Sequence, residues 1–409
     1  MSKVSATVKS VRGFQVAGVH AGLKKDGALD FSLVASEVDC IAAGVFTRNK
    51  VKAAPVLLDM QRLDENPNSI RAVATNTISA NACTGALGLQ NARATANLVA
   101  DTLDIAAEQV LVMSTGVIGT HLPMDKIARG VELASANLGA DWRAAAAGIM
   151  TTDTRPKLGS VTVETGEGAY TIAGMVKGAG MIAPNMATML SVLVTDAGLP
   201  LPELQSSLSA AAQQSYNRIV IDGDTSTNDT VLLLANGMSG LSLSTEQELD
   251  AFQDALNALT RFLAQEVVRD GEGVTKFITL NIVNAASVAD AERIGQTIGA
   301  SVLTKSAFYG SDANWGRIMA SAGRADVPLE PDSASLWIAA GESFASDAPG
   351  LEIFSGGMPT DYREEDAAAI MAEPSITFTL DCGIGAGAAT IWTCDISHEY
   401  ISINGDYRS

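Results

Sequence analysis

The sequence predicts a mixed α/β fold in one interwoven body, and three observations point there. Strand-like and helix-like apolar patterns alternate along the whole chain. No Pro- or Ser-rich linker, charge run or internal repeat divides it. Its 409 residues, 47% hydrophobic and 18% charged, are enough to bury a large core.

Short apolar runs predict strands over 72–75, 109–113, 160–163, 170–176, 190–195 and 275–283. Apolar positions three and four apart predict helices over 92–101, 126–138, 201–216 and 245–268. The last helix carries the clearest signals. Thr245 and Glu248 have the spacing of a capping box. Leu249, Phe252, Leu256, Leu259 and Leu263 then recur on one face.

Composition excludes several functions. Acidic residues outnumber basic ones 46 to 27, a formal net charge of −19, which argues against a nucleic-acid partner. A local lysine or arginine can still bind an anion on such a surface. No apolar run approaches the roughly 20 residues of a membrane span. The first residues show neither a secretory apolar segment nor an Arg-rich transit peptide, so a cytoplasmic protein is expected. Cys40, Cys83, Cys382 and Cys394 are scattered, and reduced, mostly buried thiols are expected. His20, His121 and His398 form no metal-binding spacing, so no metal is expected.

The run from Lys177 to Leu190 reads Lys-Gly-Ala-Gly-Met-Ile-Ala-Pro-Asn-Met-Ala-Thr-Met-Leu. Gly178-Ala-Gly180 lacks the third glycine of a dinucleotide fingerprint, and no Gly-Lys-Ser/Thr follows. The run instead has the layout of an N-terminal nucleophile, with Ala187 before Thr188 and an apolar strand after it. A threonine hydroxyl inside a chain is a weak nucleophile and needs an adjacent base. Cleavage before Thr188 would free an α-amine, which titrates near about 7.7–8.0 and can accept the hydroxyl proton. Gly178 and Gly180 permit positive φ, and Pro184 biases Ala183 to an extended shape. Ser114-Thr115-Gly116 follows a predicted strand, where a backbone N–H at the strand end can serve as an anion donor.

Further segments recur along the chain: Ala43-Gly-Val-Phe-Thr47, Asn81-Ala-Cys-Thr-Gly85, Ser114-Thr-Gly-Val-Ile-Gly119 and Met150-Thr-Thr-Asp-Thr154. Then come Tyr216-Asn-Arg218, Asp222-Gly-Asp-Thr-Ser-Thr-Asn-Asp229 and Arg269-Asp-Gly-Glu-Gly273. Tyr309-Gly-Ser-Asp-Ala-Asn-Trp-Gly-Arg317 and Ile403-Asn-Gly-Asp-Tyr-Arg-Ser409 complete the set. Together with the Lys177–Thr188 run these resemble, in order, the ornithine acetyltransferases, the glutamate N-acetyltransferases of arginine biosynthesis. Two stretches depart from the family. Asn76-Thr-Ile-Ser-Ala-Asn-Ala stands where the family reads Asn-Ser-Gly-Asn-Ala-Asn-Ala, which affects a turn near the site. The tail reads Gly405-Asp-Tyr-Arg-Ser409 where the family often has Ala-Asp-Tyr-Arg-Thr.

The resemblance implies layered sheets flanked by helices. It implies self-cleavage between Ala187 and Thr188 into an alpha chain, 1–187, and a beta chain, 188–409, which assemble as a heterotetramer. It implies an acetyltransferase moving acetyl from N-acetylornithine to glutamate; no cofactor is expected, and with no CoA motif readable in the sequence, acetyl-CoA as a second donor stays open. Thr188 is then the nucleophile, and the Thr115 hydroxyl and Gly116 N–H form the oxyanion hole. Thr152, Lys177, Thr188, Glu272, Asn404 and Ser409 bind substrate, with Thr154 an alternative to Thr152. Donor and acceptor share an α-carboxylate, for which Lys177 is the candidate. Glu272, between two glycines, is placed to meet an ammonium. Two other readings stand beside this one: an N-terminal-nucleophile amidohydrolase or aminopeptidase, and an uncut binding protein for acidic amino acids.

Overall fold

The computed structural model describes residues 3–183, 189–342 and 350–406. The chain forms two compact units whose segments interleave. The first comprises Met1–Gly178, Asn185–Asn217 and Thr225–Val267; the second comprises Ala179–Pro184, Arg218–Asp224 and Val268–Ser409. Each unit is a sheet flanked by helices, so the class is the mixed α/β one expected. The segments of the units alternate along the sequence, and the division into two units is what the structure adds.

The first unit is built on an eight-stranded sheet. Its main order is Val110–Ser114, Ile70–Asn76, Phe31–Phe46, Thr230–Ala235, Leu190–Thr195, Gly168–Lys177 and Lys157–Thr165, and Phe14–Val19 also pairs with Phe31–Phe46. Phe31–Phe46 is the long element. Residues 31–36 pair with Phe14–Val19, and residues 41–46 pair with Thr230–Ala235. Between these halves Glu37, Val38 and Asp39 are exposed and the register shifts. Leu190–Thr195 and Thr230–Ala235 run parallel to each other and are buried throughout. A strand covered on both faces needs apolar residues at successive positions, which is the pattern those segments carry.

Apolar clusters pack on this sheet. One gathers Val16, Trp142, Met175, Val192 and Leu232; another gathers Leu33, Ala96, Val99, Val112 and Ile127. Helices Gly85–Leu103, Met124–Ala136 and Leu201–Gln214 match the expected ones. The last stops at Gln214, and Tyr216–Arg218 is a 3-10 turn in place of its predicted end. Glu246–Arg269 forms with the expected capping box: Thr245 N donates to Glu248 Oε2 at 2.9 Å and Glu248 N to Thr245 Oγ1 at 3.3 Å.

The second unit holds a seven-stranded sheet in the order Met358–Pro359, Leu351–Ser355, Ser335–Ala340, Ser375–Asp381, Phe277–Ala285, Gly387–Cys394 and Ile219–Val220. Its core joins Ile278, Leu280, Ile294, Phe308, Ile338 and Phe378. Helices Val288–Gly299, Val302–Tyr309 and Trp315–Gly323 cover it, started by side-chain caps from Ser287, Ser301 and Asn314. All four cysteines are free; Cys40, Cys382 and Cys394 are buried and Cys83 is exposed. Among the described residues no helix is long and apolar enough to cross a membrane, and no group of His, Cys, Asp and Glu is arranged to hold a metal ion.

Candidate active site

The first unit fixes Thr115 and Gly116 from several directions. They follow Val110–Ser114, which runs parallel to Ile70–Asn76. Thr115 N donates to the Asn76 carbonyl at 3.0 Å, and Val117 N to the Ile78 carbonyl at 2.9 Å. The Ser114 hydroxyl donates to Asn76 Oδ1 at 2.6 Å. Asn228 spans the loop from the other side. Its Nδ2 donates to the carbonyls of Ala80 at 2.6 Å and Ser114 at 2.8 Å. Gly116 takes φ +132°, and a Cβ there would stand 2.2 Å from the Ile78 carbonyl carbon. No other residue fits that conformation and space. The segment that departs from the family therefore forms the wall behind Gly116.

The turn presents two donors. The Gly116 N–H is half-buried and donates to no acceptor among the described residues. The Thr115 hydroxyl oxygen accepts from Lys177 Nζ at 3.2 Å, which leaves its own proton to point elsewhere. Such a pair has the chemistry of an oxyanion hole, aimed donors whose positions are set before reaction.

Lys177 ends the strand Gly168–Lys177 and is buried beside a carboxylate network. Asp153 Oδ1 accepts from Lys157 Nζ at 2.6 Å and from Gly178 N at 2.7 Å, while Oδ2 accepts from Thr151 N at 3.0 Å. Burial alone would raise the Asp153 carboxyl. The Lys177 and Lys157 ammoniums and the two hydrogen bonds to Oδ1 outweigh it and hold the group below the ordinary carboxylate range. The sequence reading singled out the threonines on either side, of which Thr152 is half-buried and Thr154 exposed. It passed over Asp153, which organises the loop. The Asp153 spacing to Lys157 was a visible signal; the contact with Gly178 was not.

Asp229 was passed over as well. It is buried just before Thr230–Ala235, and neither carboxylate oxygen meets a donor in hydrogen-bond geometry among the described residues. Burial pushes its carboxyl well above the usual range, against the opposing pull of the Met189 amide, the Lys177 ammonium and the hydroxyls of Ser226 and Thr47.

In the second unit Glu272 and Asn404 meet. Asn404 Nδ2 donates to Glu272 Oε2 at 2.7 Å and to the Tyr400 carbonyl at 3.0 Å. Glu272 N donates to the Ala179 carbonyl at 2.9 Å, and Glu272 is buried, not solvated as in an open surface turn. A Cβ on Gly180 would stand 2.4 Å from Glu272 Oε2. Gly180 is thus required for room; the positive φ falls instead on Gly178 at +155° and on Met181 at +57°. Asp222 anchors that turn, accepting from Met181 N at 2.5 Å, Ile182 N at 2.9 Å and the Tyr400 hydroxyl at 3.3 Å. Lys177, Thr115 and Gly116 are therefore gathered in one unit, Glu272 and Asn404 in the other. Ala187, Thr188 and Ser409 lie outside the described residues.

Comparison with known protein families matches residues 15–409 to the ArgJ family. The chain belongs to the ArgJ family. Among relatives, the arginine biosynthesis bifunctional protein ArgJ of Thermotoga neapolitana is 44% identical over 97% of this chain and 99% of its own length. The protein of the same name from Geobacter sulfurreducens is 44% identical over 98% of this chain and its full length. A solved ArgJ structure from Bacillus halodurans shares 35% identity, with 54% of this chain and all of that one covered and a TM-score of 0.49. Membership makes this chain an enzyme, an acetyltransferase of the ArgJ kind.

Proposed function

We propose that this enzyme moves the acetyl group of N-acetylornithine to glutamate through an acetyl-Thr188 intermediate, giving ornithine and N-acetylglutamate. The observation that carries the reading is the Thr115–Gly116 turn, an N–H and a hydroxyl held ready for a developing oxyanion in a chain matched to ArgJ over residues 15–409. The enzyme first cuts itself between Ala187 and Thr188. Thr188 Oγ then attacks the acetyl carbonyl, and its own α-amine takes the hydroxyl proton. Thr115 and Gly116 stabilise the tetrahedral oxyanion, at about 3–4 kcal/mol for a well-placed donor. Ornithine departs with the proton, and the glutamate α-amine attacks the acetyl ester in turn.

Donor and acceptor bind in turn and share an α-carboxylate, so the strongest charge belongs to that shared end. Lys177 takes the common α-carboxylate. Glu272, steadied by Asn404, meets the ornithine ammonium, and Thr152 and Ser409 complete the contacts. Acetyl transfer of this kind needs no cofactor. The relatives carry the word bifunctional in their names, which supports acetyl-CoA as a second donor. Two copies of each fragment make the assembly.

Mass spectrometry of the purified protein tests this. Two fragments are expected, the second starting at Thr188. N-acetylornithine without acceptor should add one acetyl mass to that fragment, and glutamate should discharge it faster than water. Thr188→Ala should give one uncut, inactive chain. Discharge at the same rate with and without glutamate would support an amidohydrolase instead. Full activity in an uncut chain, or intersecting initial-rate plots with no acetylated fragment, would overturn the proposal.

A further inference from the structure

The first unit contains a cavity of about 440 Å³, of the size that takes a small molecule. Two parts of the chain line it: the hairpin of Lys157–Thr165 with Gly168–Lys177, and the segment that leads into helix Glu246–Arg269. Both are well fixed. Across the hairpin Val163 pairs with Tyr170 and Thr165 with Gly168, and Thr165 Oγ1 donates to the Gly168 carbonyl at 2.9 Å. On the other side Gly198 N donates to the Leu241 carbonyl at 2.9 Å, and Leu243 N to the Gly198 carbonyl at 2.8 Å. Glu248 Oε2 is engaged by its helix cap, accepting from Ser244 N at 3.0 Å and Thr245 N at 2.9 Å.

The lining combines apolar side chains, Leu241 and Leu243 among them, with three glutamates, Glu164, Glu167 and Glu248, and includes no lysine or arginine. Carboxylates are common on a chain of net charge −19, and alone they mark no site. Tyr170 is a separate signal in the same lining. It is 1% exposed, its ring centroid lies 6.1 Å from that of Phe252, and its hydroxyl has no hydrogen-bond partner among the described residues. Buried hydroxyls are nearly always paired, so this one points to a polar group that the chain does not supply.

The ligand's chemistry follows from the lining. Among the described residues no group of His, Cys, Asp and Glu is arranged to hold a metal ion, so the cation that suits these glutamates is organic. With no basic residue in the lining, a ligand carboxylate would be repelled. Glu164 and Glu167 stand on the hairpin and Glu248 on the helix, so the negative charge comes from two elements. We propose that this cavity binds a small aliphatic diamine, its ammonium groups paired with the glutamates, its hydrocarbon chain against Leu241 and Leu243, and one N–H donated to the Tyr170 hydroxyl oxygen. Burial, and after it the Glu248 carboxylate, pushes the Tyr170 phenol up to about 12, so that oxygen is a neutral acceptor. Lys177 stands seven residues further along the same strand, about 23 Å away at roughly 3.3 Å per residue. The cavity is therefore distinct from the Thr115–Lys177 site, and neither the cut before Thr188 nor acetyl transfer enters the binding.

Calorimetric titration of the purified full-length protein with putrescine, which has ornithine's carbon chain without the carboxylate, tests this. Wild type should bind one equivalent saturably at physiological salt. The isotherm should be the same with ornithine already saturating the enzyme, because ornithine's carboxylate is refused by the cavity. Glu164→Gln/Glu167→Gln removes two exposed charges and should weaken binding about tenfold or more. Tyr170→Phe keeps the ring against Phe252, loses only the unpartnered oxygen, and should weaken binding about tenfold, the worth of one hydrogen bond to a charged group. General attraction of an amine to an acidic surface would be indifferent to that oxygen, so unchanged affinity in a folded Tyr170→Phe overturns the site. No saturable heat in wild type, full affinity in the double variant, or displacement of putrescine by ornithine overturns it as well.

Discussion

Ile78 holds its backbone at φ +74°. The left-handed region costs an L-residue about 1–2 kcal/mol, and a β-branched side chain fits it worst. The ornithine acetyltransferase pattern has glycine at this place in Asn-Ser-Gly-Asn-Ala-Asn-Ala. The turn is retained because its backbone is used: the Ile78 carbonyl accepts from Val117 N, and its main chain backs Gly116. At 39% exposure the isoleucine side chain recovers little by burial. Ile78→Gly should therefore stabilise the protein by about 1 kcal/mol, after the looser unfolded chain offsets part of the relieved strain. Urea unfolding with an unchanged slope and a higher midpoint is the expected result; a lower midpoint would mean that the side chain itself holds the turn. At this scale the sequence exposed Thr115, Gly116, Lys177 and Glu272, since each stands in a run whose residue types suit the chemistry. Asp153, Asn228 and Asp229 lie in other runs of that set and were not singled out. A polar residue in a loop reads as solvated, and only contacts distant in sequence, such as Asn228 with Ala80 and Ser114, reveal that it is buried.

Helix Ala54–Glu65 shows how one element can make stability depend on pH. Its Asp59 is fully buried against Val110–Ser114; Oδ1 accepts from Val112 N at 2.9 Å, and Oδ2 has no partner. Burial pushes the carboxyl well above its ordinary value, despite the Val112 hydrogen bond and the Arg62 charge. The folded protein then binds a proton that the unfolded chain releases near its usual pKa of about 3.9. Stability should fall as pH rises from there toward the folded pKa, by about 1.4 kcal/mol per unit for this group. Asp59→Asn keeps the acceptor for Val112 and removes the titration. Its urea midpoint should gain on wild type as pH rises above the ordinary carboxylate value, and parallel curves would refute the assignment. The elements most legible in the sequence have one unbroken period. Leu190–Thr195 is apolar at nearly every step, and Glu246–Arg269 has a capping box and a single stripe. Phe31–Phe46 was missed because its exposed Glu37-Val38-Asp39 middle interrupts the pattern where the strand changes partners. The helices Val288–Gly299, Val302–Tyr309 and Trp315–Gly323 are short, and their apolar faces gain meaning only against the sheet they cover.

Over the whole molecule, the proposed cut and the strand order do not coincide. Read across the first sheet, Val110–Ser114, Ile70–Asn76 and Phe31–Phe46 come from the first fragment. Thr230–Ala235 and Leu190–Thr195 come from the second, and Gly168–Lys177 and Lys157–Thr165 from the first again. The second fragment's two strands are enclosed on both sides, so the fragments share the ladder Phe31–Phe46 with Thr230–Ala235 and the ladder Gly168–Lys177 with Leu190–Thr195. The other unit repeats the arrangement in miniature: Ala179–Ile182, from the first fragment, is bound there by Asp222, Glu272 and Ile221. Removing either fragment would bare rows of buried N–H and C=O groups on strands with apolar faces, and each such group is expensive to leave unmade. The two fragments should therefore co-elute on size exclusion without denaturant, and separate only in the urea transition that unfolds the sheet. A fragment 1–187 produced alone lacks the two strands that join the parts of its sheet, and it should be insoluble or bind dyes that report exposed apolar surface. Recovery of soluble, folded 1–187 that binds later-added 188–409 without refolding would show that the first fragment is an independent body, contrary to the shared sheet.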